Sequence, residues 1–190
     1  LSRIGILGGT FDPPHNGHLA LATAAISKLD LDKVAFIPAR IPPHKPAEDV
    51  SSEDDRLAML KLAVEDDSRF EISEIELERD GPSFTVDTLG RLKAENPGHE
   101  FFFLIGSDNV GEMESWHRPD RILKLVRVAA AVRPGYSIEG KFADMVEPFD
   151  MPPVDISSTA VRKKVRSGKS ISGLVPEPVE EYIKSKGLYR

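Results

Sequence analysis

Apolar residues in this chain fall into two patterns that alternate along its length: short dense runs, and longer stretches where they recur every three or four positions. Dense runs predict strands covered on both faces, and the spaced pattern predicts helices with one buried stripe. Ile4 to Leu7 is a run of the first kind, and Leu19 to Leu29 has helical spacing. Lys33 to Pro38 predicts a second buried strand. Phe70 to Leu77 alternates as a strand would. Phe101 to Ile105, the most apolar short run, predicts a central strand, Val126 to Val132 another, and Val154 to Ile156 a short last one. Further helices are expected from Ser51 or Ser52 to about Val64, with Leu57, Leu60 and Val64 on one face, and from Ser83 or Thr85 to about Ala94. Two more are expected, from a Ser157-Ser158-Thr159 cap to Val165 and over Val179 to Lys186. Asp80-Gly81-Pro82, Asn96-Pro97-Gly98 and Arg133-Pro134-Gly135 mark turns.

Repeated strand–helix alternation predicts an α/β fold, a doubly wound parallel sheet with helices on both faces. No repeat, low-complexity tract or long linker divides the chain, so residues 1–190 are expected to form a single domain. Ligands of such sheets bind beyond the carboxyl ends of the strands, where the strand order reverses. Four chemically suggestive loops follow strands in this reading, at 8–18, 38–45, 106–109 and 157–162, and should share one rim.

The first of them, Gly8-Gly9-Thr10-Phe11-Asp12-Pro13-Pro14-His15-Asn16-Gly17-His18, joins a strand to a helix. Its glycines allow a ligand close to the backbone, and the helix start offers unpaired N–H groups to a phosphate. His15 and His18 suit charge stabilisation on a phosphoryl group. The alternatives are a tight turn with two exposed histidines, or a zinc site, for which cysteines are absent and Asp12 is the sole nearby acid.

The remaining constellations each have a functional and an ordinary reading. Lys45, on the proline-stiffened Pro42-Pro43-His44-Lys45 loop, can reach a polyphosphate or be a solvated surface lysine. Ile156-Ser157-Ser158-Thr159-Ala160-Val161-Arg162 offers a second anion site, though on the residues alone a plain helix cap is the better reading. In Gly106-Ser107-Asp108-Asn109 a carboxylate at a strand tip can accept ribose hydroxyls. Trp116, the single tryptophan, sits among polar residues and can stack on an aromatic ligand or close the edge of the core. The hydroxyls of Ser83, Thr85 and Thr88 can meet a ligand carboxylate or carboxamide, though the sequence alone favours helix caps. His99 and the acidic runs at 53–55 and 65–67 read as solvated surface.

Composition narrows the classes. With 40% hydrophobic and 29% charged residues the chain can bury a substantial core. A net charge of −6 argues against nonspecific nucleic-acid or anionic-membrane binding. Without cysteine there are no disulfides or thiolate metal sites, which suits a reducing cytosol. No apolar run reaches membrane-spanning length, and the first residues enter a strand instead of a leader; a cytoplasmic protein is expected.

Taken in order, the loop 8–18 and the segment 156–162 resemble the two signatures of the nucleotidylyltransferase superfamily with the (H/T)xGH motif. Ile37-Pro38 with Pro42-Pro43-His44-Lys45, Pro82-Ser83-Phe84-Thr85-Val86-Asp87-Thr88-Leu89, and Gly106-Ser107-Asp108-Asn109 with Trp116 narrow the resemblance to the bacterial nicotinate-nucleotide adenylyltransferases. It extends from Ile4 to Gly187-Leu188-Tyr189. The resemblance implies a Rossmann-like fold and a reaction joining ATP, with Mg²⁺, to nicotinate mononucleotide. The products would be nicotinate adenine dinucleotide and pyrophosphate, with no covalent enzyme intermediate.

It also implies roles. His15 and His18 would face the ATP phosphates, His18 nearest the reacting phosphorus. Lys45 and Arg162, with the helix start at Ser157 and Ser158, would hold phosphates of ATP and mononucleotide and the leaving pyrophosphate. Gly8, Gly9, Thr10 and Phe11 would flank the nucleotide, Asp108 take the adenosine ribose, and Ile156 lie beside adenine. Trp116 would stack on the pyridine ring and Thr85 receive its carboxylate. Phe84 departs from the tyrosine common in the family. No nucleic-acid or membrane partner is implied, and a homo-oligomer is compatible. The rivals are a sister adenylyltransferase acting on nicotinamide mononucleotide or phosphopantetheine, and a nucleotide-binding module without chemistry. A dehydrogenase would need G-x-G-x-x-G where this chain has G-G-T-F-D-P.

Overall fold

The computed structural model describes residues 2–41 and 50–190; Pro42-Pro43-His44-Lys45, and with it the expected role of Lys45, lies outside them. The elements in chain order are β1 (Arg3–Gly9), α1 (Asn16–Lys28), β2 (Lys33–Pro38), α2 (Glu53–Val64), β3 (Phe70–Ile72), α3 (Thr85–Glu95) and β4 (Glu100–Gly106). There follow α4 (Ser107–Glu112), α5 (Pro119–Leu125), β5 (Arg127–Val132), β6 (Glu147–Asp150), α6 (Ser158–Arg166) and α7 (Glu177–Lys186). The strands form one sheet of order β3-β2-β1-β4-β5-β6, every pair parallel. After β1 the chain moves outward through β2 and β3, then returns to β4 on the other side. The order therefore reverses between β1 and β4, and a crevice opens above their carboxyl ends.

Strand side chains alternate between two cores. Along β4, Phe101, Phe103 and Ile105 join Leu89 of α3 and Ile122 of α5 on one face. Phe102 and Leu104 join Ala22, Ala25 and Ile26 of α1 and Leu60 of α2 on the other. Both faces are covered, which is why β4 reads as a solid apolar run; each such Phe or Leu contributes about 1.5–3 kcal/mol through burial. A third cluster, Met59, Val161, Ile171, Val175, Val179 and Ile183, clamps α2, α6 and α7 together.

Several boundaries differ from the sequence expectations. Val154 to Ile156 is irregular chain leading into α6, and the last strand is β6, Glu147–Asp150. That strand carries a proline and buries only Phe149, as an edge position allows but a periodicity reading does not reveal. β3 stops at Ile72, and Ile75 packs into the core from a turn. In α2 the buried residues are Arg56, Met59, Leu60 and Val64, with Leu57 only half-buried, because the helix is wedged between the sheet and α7. The short helices α4 and α5 have no counterpart in the sequence reading; α5 begins with Pro119, a favoured first helical residue. Among the described residues no helix is long and apolar enough to cross a membrane.

Candidate active site

β1 ends at Gly9, and the chain turns through Phe11, at a positive φ of 51°, and a cis Asp12–Pro13 peptide before His15 caps α1. A Cβ on Gly9 would lie 3.0 Å from the Phe11 ring, so glycine there lets Phe11 fold beneath the loop. Phe11 is 1% exposed, with Phe36 on one side and the His18 ring edge-on at 5.0 Å. Its side chain is therefore a floor for the loop. The His15 and His18 rings stack 3.7 Å apart. Gly17 makes this possible: a Cβ on it would lie 2.9 Å from His15 Nδ1.

The two histidines differ in burial, His15 lying deeper than His18. His15 is buried, and burial pushes its pKa down to about 4, so it is neutral at neutral pH. The His15 N–H donates to His18 Nδ1 at 3.1 Å. In the neutral His18 ring the hydrogen must then sit on Nε2, which makes that atom a donor.

Four side chains from distant segments, Arg56, Arg162, Ser158 and Tyr189, hold this loop by its backbone and by Asp12. Arg56 Nη1 donates to Thr10 O at 2.9 Å, Arg162 Nη1 to Asp12 O at 2.7 Å, and Ser158 Oγ to Pro13 O at 2.9 Å. Asn16 Nδ2 donates to Gly173 O at 2.9 Å, and its N–H to Leu174 O at 2.9 Å. Asp12, 2% exposed, accepts the Tyr189 hydroxyl at 2.6 Å and the Ser51 N–H at 3.1 Å. Arg56 is equally buried and also donates to Ser51 O and Arg40 O at 3.3 Å. Sequence reasoning passed over Arg56 and Tyr189 and gave Asp12 no role of its own. An arginine beside a helix's apolar stripe carries no mark of burial, and a terminal tyrosine none of its partner.

Above the loop lies a cleft of about 780 Å³, within the range of nucleotide-sized ligands. It brings together Gly8, Gly9, Thr10, His15 and His18 on one wall and Thr85, Asp108 and Trp116 on the other, with Ile156 also lining it. Phe11, Ser157, Ser158 and Arg162 stand outside that lining. Ser157 caps α6 by accepting the Ala160 N–H at 3.1 Å, while Ser158 and Arg162 brace the loop.

The second wall is looser. At Gly106 a Cβ would collide with Asp108 Oδ1, so only glycine lets that carboxylate fold back over the end of β4. Trp116 is half-buried, edge-on to Phe103 at 6.0 Å, and so both borders the core and lines the cleft. Phe84 and His117 pack at 4.7 Å. Neither Ser83 nor Thr85 caps α3. Phe84 holds the cap position without a side-chain bond, and Ser83 Oγ accepts the Arg40 N–H at 3.1 Å. Glu76 lines the cleft below, accepting the Thr88 hydroxyl at 2.7 Å, and burial raises its pKa. His99, expected at the solvated surface, is half-buried with Nδ1 sealed from solvent and packs edge-on to Phe101.

The sequence profile of the cytidylyltransferase-like family matches residues 6–164. A Geobacillus thermodenitrificans protein named "Probable nicotinate-nucleotide adenylyltransferase" is 48% identical over 189 residues, covering 100% of this chain and 87% of the relative. The Bacillus subtilis protein named "Nicotinate-nucleotide adenylyltransferase" is 39% identical over 189 residues, covering 100% of this chain and 99% of its own. Among solved structures, the Plasmodium falciparum nicotinic acid mononucleotide adenylyltransferase complexed with NaAD superposes with a TM-score of 0.83 at 20% identity, covering 100% of this chain and 98% of that one. At that identity the likeness speaks for the fold.

Proposed function

The chain belongs to the cytidylyltransferase-like family, and from that premise we propose that it joins ATP to nicotinate mononucleotide, giving nicotinate adenine dinucleotide and pyrophosphate. The relatives' names support the reaction. The observation that carries it to this chain is a single cleft with paired histidines on a glycine loop at one wall and a tryptophan at the other.

In this reading an oxygen of the mononucleotide's 5′-phosphate attacks the α-phosphorus of ATP. The bond from that phosphorus to the bridging oxygen of the β-phosphate breaks, and pyrophosphate leaves with the electron pair. No side chain is asked to bond to phosphorus; the protein aligns the reactants and stabilises the charge that develops. The Nε2–H of His18 donates to the α-phosphate oxygens, with His15 fixing its orientation by stacking and through its backbone N–H. Gly8, Gly9 and Thr10 admit the nucleotide close to the backbone, Asp108 takes the ribose, and Ile156 flanks adenine. Arg162 and Lys45 supply positive charge to the phosphates, and Ser157 and Ser158 keep α6 in place behind them. Trp116 stacks on the pyridine ring, while Thr85 and the first-turn N–H groups of α3 receive its carboxylate. That helix start, with no side-chain cap from Phe84, favours the acid over the amide.

Mg²⁺ enters this scheme on the phosphates of ATP, as part of the substrate. Among the described residues no group of three or more His, Asp or Glu could hold a metal ion. The loop instead offers hydrogen-bond donors, which suits an anion already carrying its cation. We take residues 1–190 to act as one domain, in the cytoplasm, without a nucleic-acid or membrane partner and with a homo-oligomer compatible with the reading.

The test is pyrophosphate release from ATP and Mg²⁺ with nicotinate mononucleotide, nicotinamide mononucleotide and phosphopantetheine in separate reactions. Marked preference for the first is expected. Preference for another acceptor would overturn the pyridine subsite, and release with none would leave only a nucleotide-binding module.

A further inference from the structure

The loop that carries the histidines is fixed from a point 177 residues away in the sequence. α7 ends at Gly187, whose φ is 64°, and Tyr189 follows at 63°, a left-handed conformation that residues with a Cβ rarely adopt. The double turn folds the tyrosine ring back against the cluster around Met59 and Val161. There its hydroxyl meets Asp12 Oδ1 at 2.6 Å and lies 3.9 Å from Met59 Sδ. Burial and the carboxylate both hold the phenol well above its ordinary pKa, so it remains a donor. The other oxygen of Asp12 accepts the Ser51 N–H, and its backbone carbonyl accepts from Arg162. Asp12 is thus gripped by three segments, and it stands three residues before His15.

We propose that Tyr189 is a positioning residue for adenylyl transfer: its hydroxyl fixes Asp12, and Asp12 sets the place and tilt of the loop presenting His15 and His18. Tyr189 is outside the cleft lining. The inference rests on the adenylyltransferase reading of the cleft. Two facts separate it from a packing role. The ring alone would fill the apolar cluster, so the buried hydroxyl and buried carboxylate, each costly without the other, must answer to something besides packing. In addition, the bond falls on the loop's one acidic side chain and not on the surrounding core.

Tyr189→Phe removes one oxygen and leaves the ring. With ATP, Mg²⁺ and nicotinate mononucleotide we expect kcat to fall about ten- to a hundredfold, the scale of a small misalignment of reacting groups. Both KM values should stay within about twofold, and the melting midpoint within a few degrees. Asp12→Asn leaves one acceptor oxygen for the two donors that Asp12 serves, so it should lower kcat alike, and the double variant should lose no more than the worse single one, because both loosen the same clasp on Asp12. Wild-type kcat in Tyr189→Phe, a loss confined to KM, or independent multiplying losses in the double variant would each overturn the proposal. Should Tyr189→Phe fail to fold, Asp12→Asn serves as the second check: it is expected to fold and to lose kcat, and wild-type kcat in that variant would overturn the proposal. A wild-type protein that produces no dinucleotide would defeat the functional reading itself, an outcome plainly different from an active wild type with an equally active variant.

Discussion

The two walls of the cleft are built in opposite ways. On the histidine wall, Phe11, Asp12 and His15 are each 6% exposed or less, and the loop's carbonyls and carboxylate are held by side chains from α2, α6 and the segment after α7. On the tryptophan wall, Trp116 and Phe84 are half-buried, His117 and Arg118 are exposed, and Arg118 stands at a positive φ of 54°. The first wall is over-determined, as charge stabilisation requires, since a donor that must reorganise during the reaction loses most of its value. The second relies on ring surfaces, whose contacts tolerate small displacements. On the proposed reaction, the difference teaches that this fold spends its buried polar bonds where charge would develop and leaves substrate choice to a softer surface.

The comparison predicts where substitutions should hurt most. His18→Ala, which removes the donor at the rigid wall, should lower kcat about a thousandfold with little change in stability, measured by initial rates and thermal melting. Near-normal kcat would break the comparison at its root. Gly17→Ala is a subtler blow to the same wall. Alanine favours a helix by about 1 kcal/mol over glycine, yet its methyl would press on the His15 ring. Stability should hardly change while kcat drops about ten- to a hundredfold. A variant as active as wild type would show that the stacked pair is not needed in register.

Across the cleft, Trp116→Ala should raise KM for the mononucleotide about tenfold, the scale of one lost ring stack, and leave kcat and KM for ATP nearly unchanged. Equal damage to both substrates would erase the division between the walls. The smallest effect is on stability against pH. The folded protein holds His15 at about 4 against an ordinary 6.5, so between those values the unfolded chain binds a proton that the folded one refuses. Stability present above pH 6.5 should therefore decline as pH falls toward 4, by about 3 kcal/mol at most from this group. His15→Asn, followed by denaturant melts at pH 7 and 5, should flatten that slope.

How far these walls could be read in advance differed as well. The glycines, His15, His18 and Asp108 were legible because strand, turn and helix signals placed them on one rim, and Trp116 because it is the single tryptophan, set among polar residues; all of them line the cleft of the six-stranded parallel sheet. Arg56 and Tyr189 were not, because their meaning lies in pairings between segments that no local pattern records. β6 was missed for a different reason. An edge strand needs only one inward side chain, here Phe149, and Glu147-Pro148-Phe149-Asp150 shows neither a solid run nor an alternation of apolar residues. Val154-Asp155-Ile156 imitated a strand because Val154 and Ile156, either side of an exposed Asp155, both line the cleft, Val154 also packing against the α1-side core.

The bond between Asp12 and Tyr189 has a consequence during synthesis. The glycine–histidine loop leaves the ribosome early, yet its brace arrives 177 residues later. At elongation rates of about 5–20 residues per second, that is an interval of roughly 10–35 seconds. Through it the nascent chain carries the two histidines and the sheet strands that bear them, but not the hydroxyl that sets their pose. On the proposal made for Tyr189, full competence awaits residue 189, and a ribosome that stalls short of it releases a chain whose histidine loop lacks that restraint.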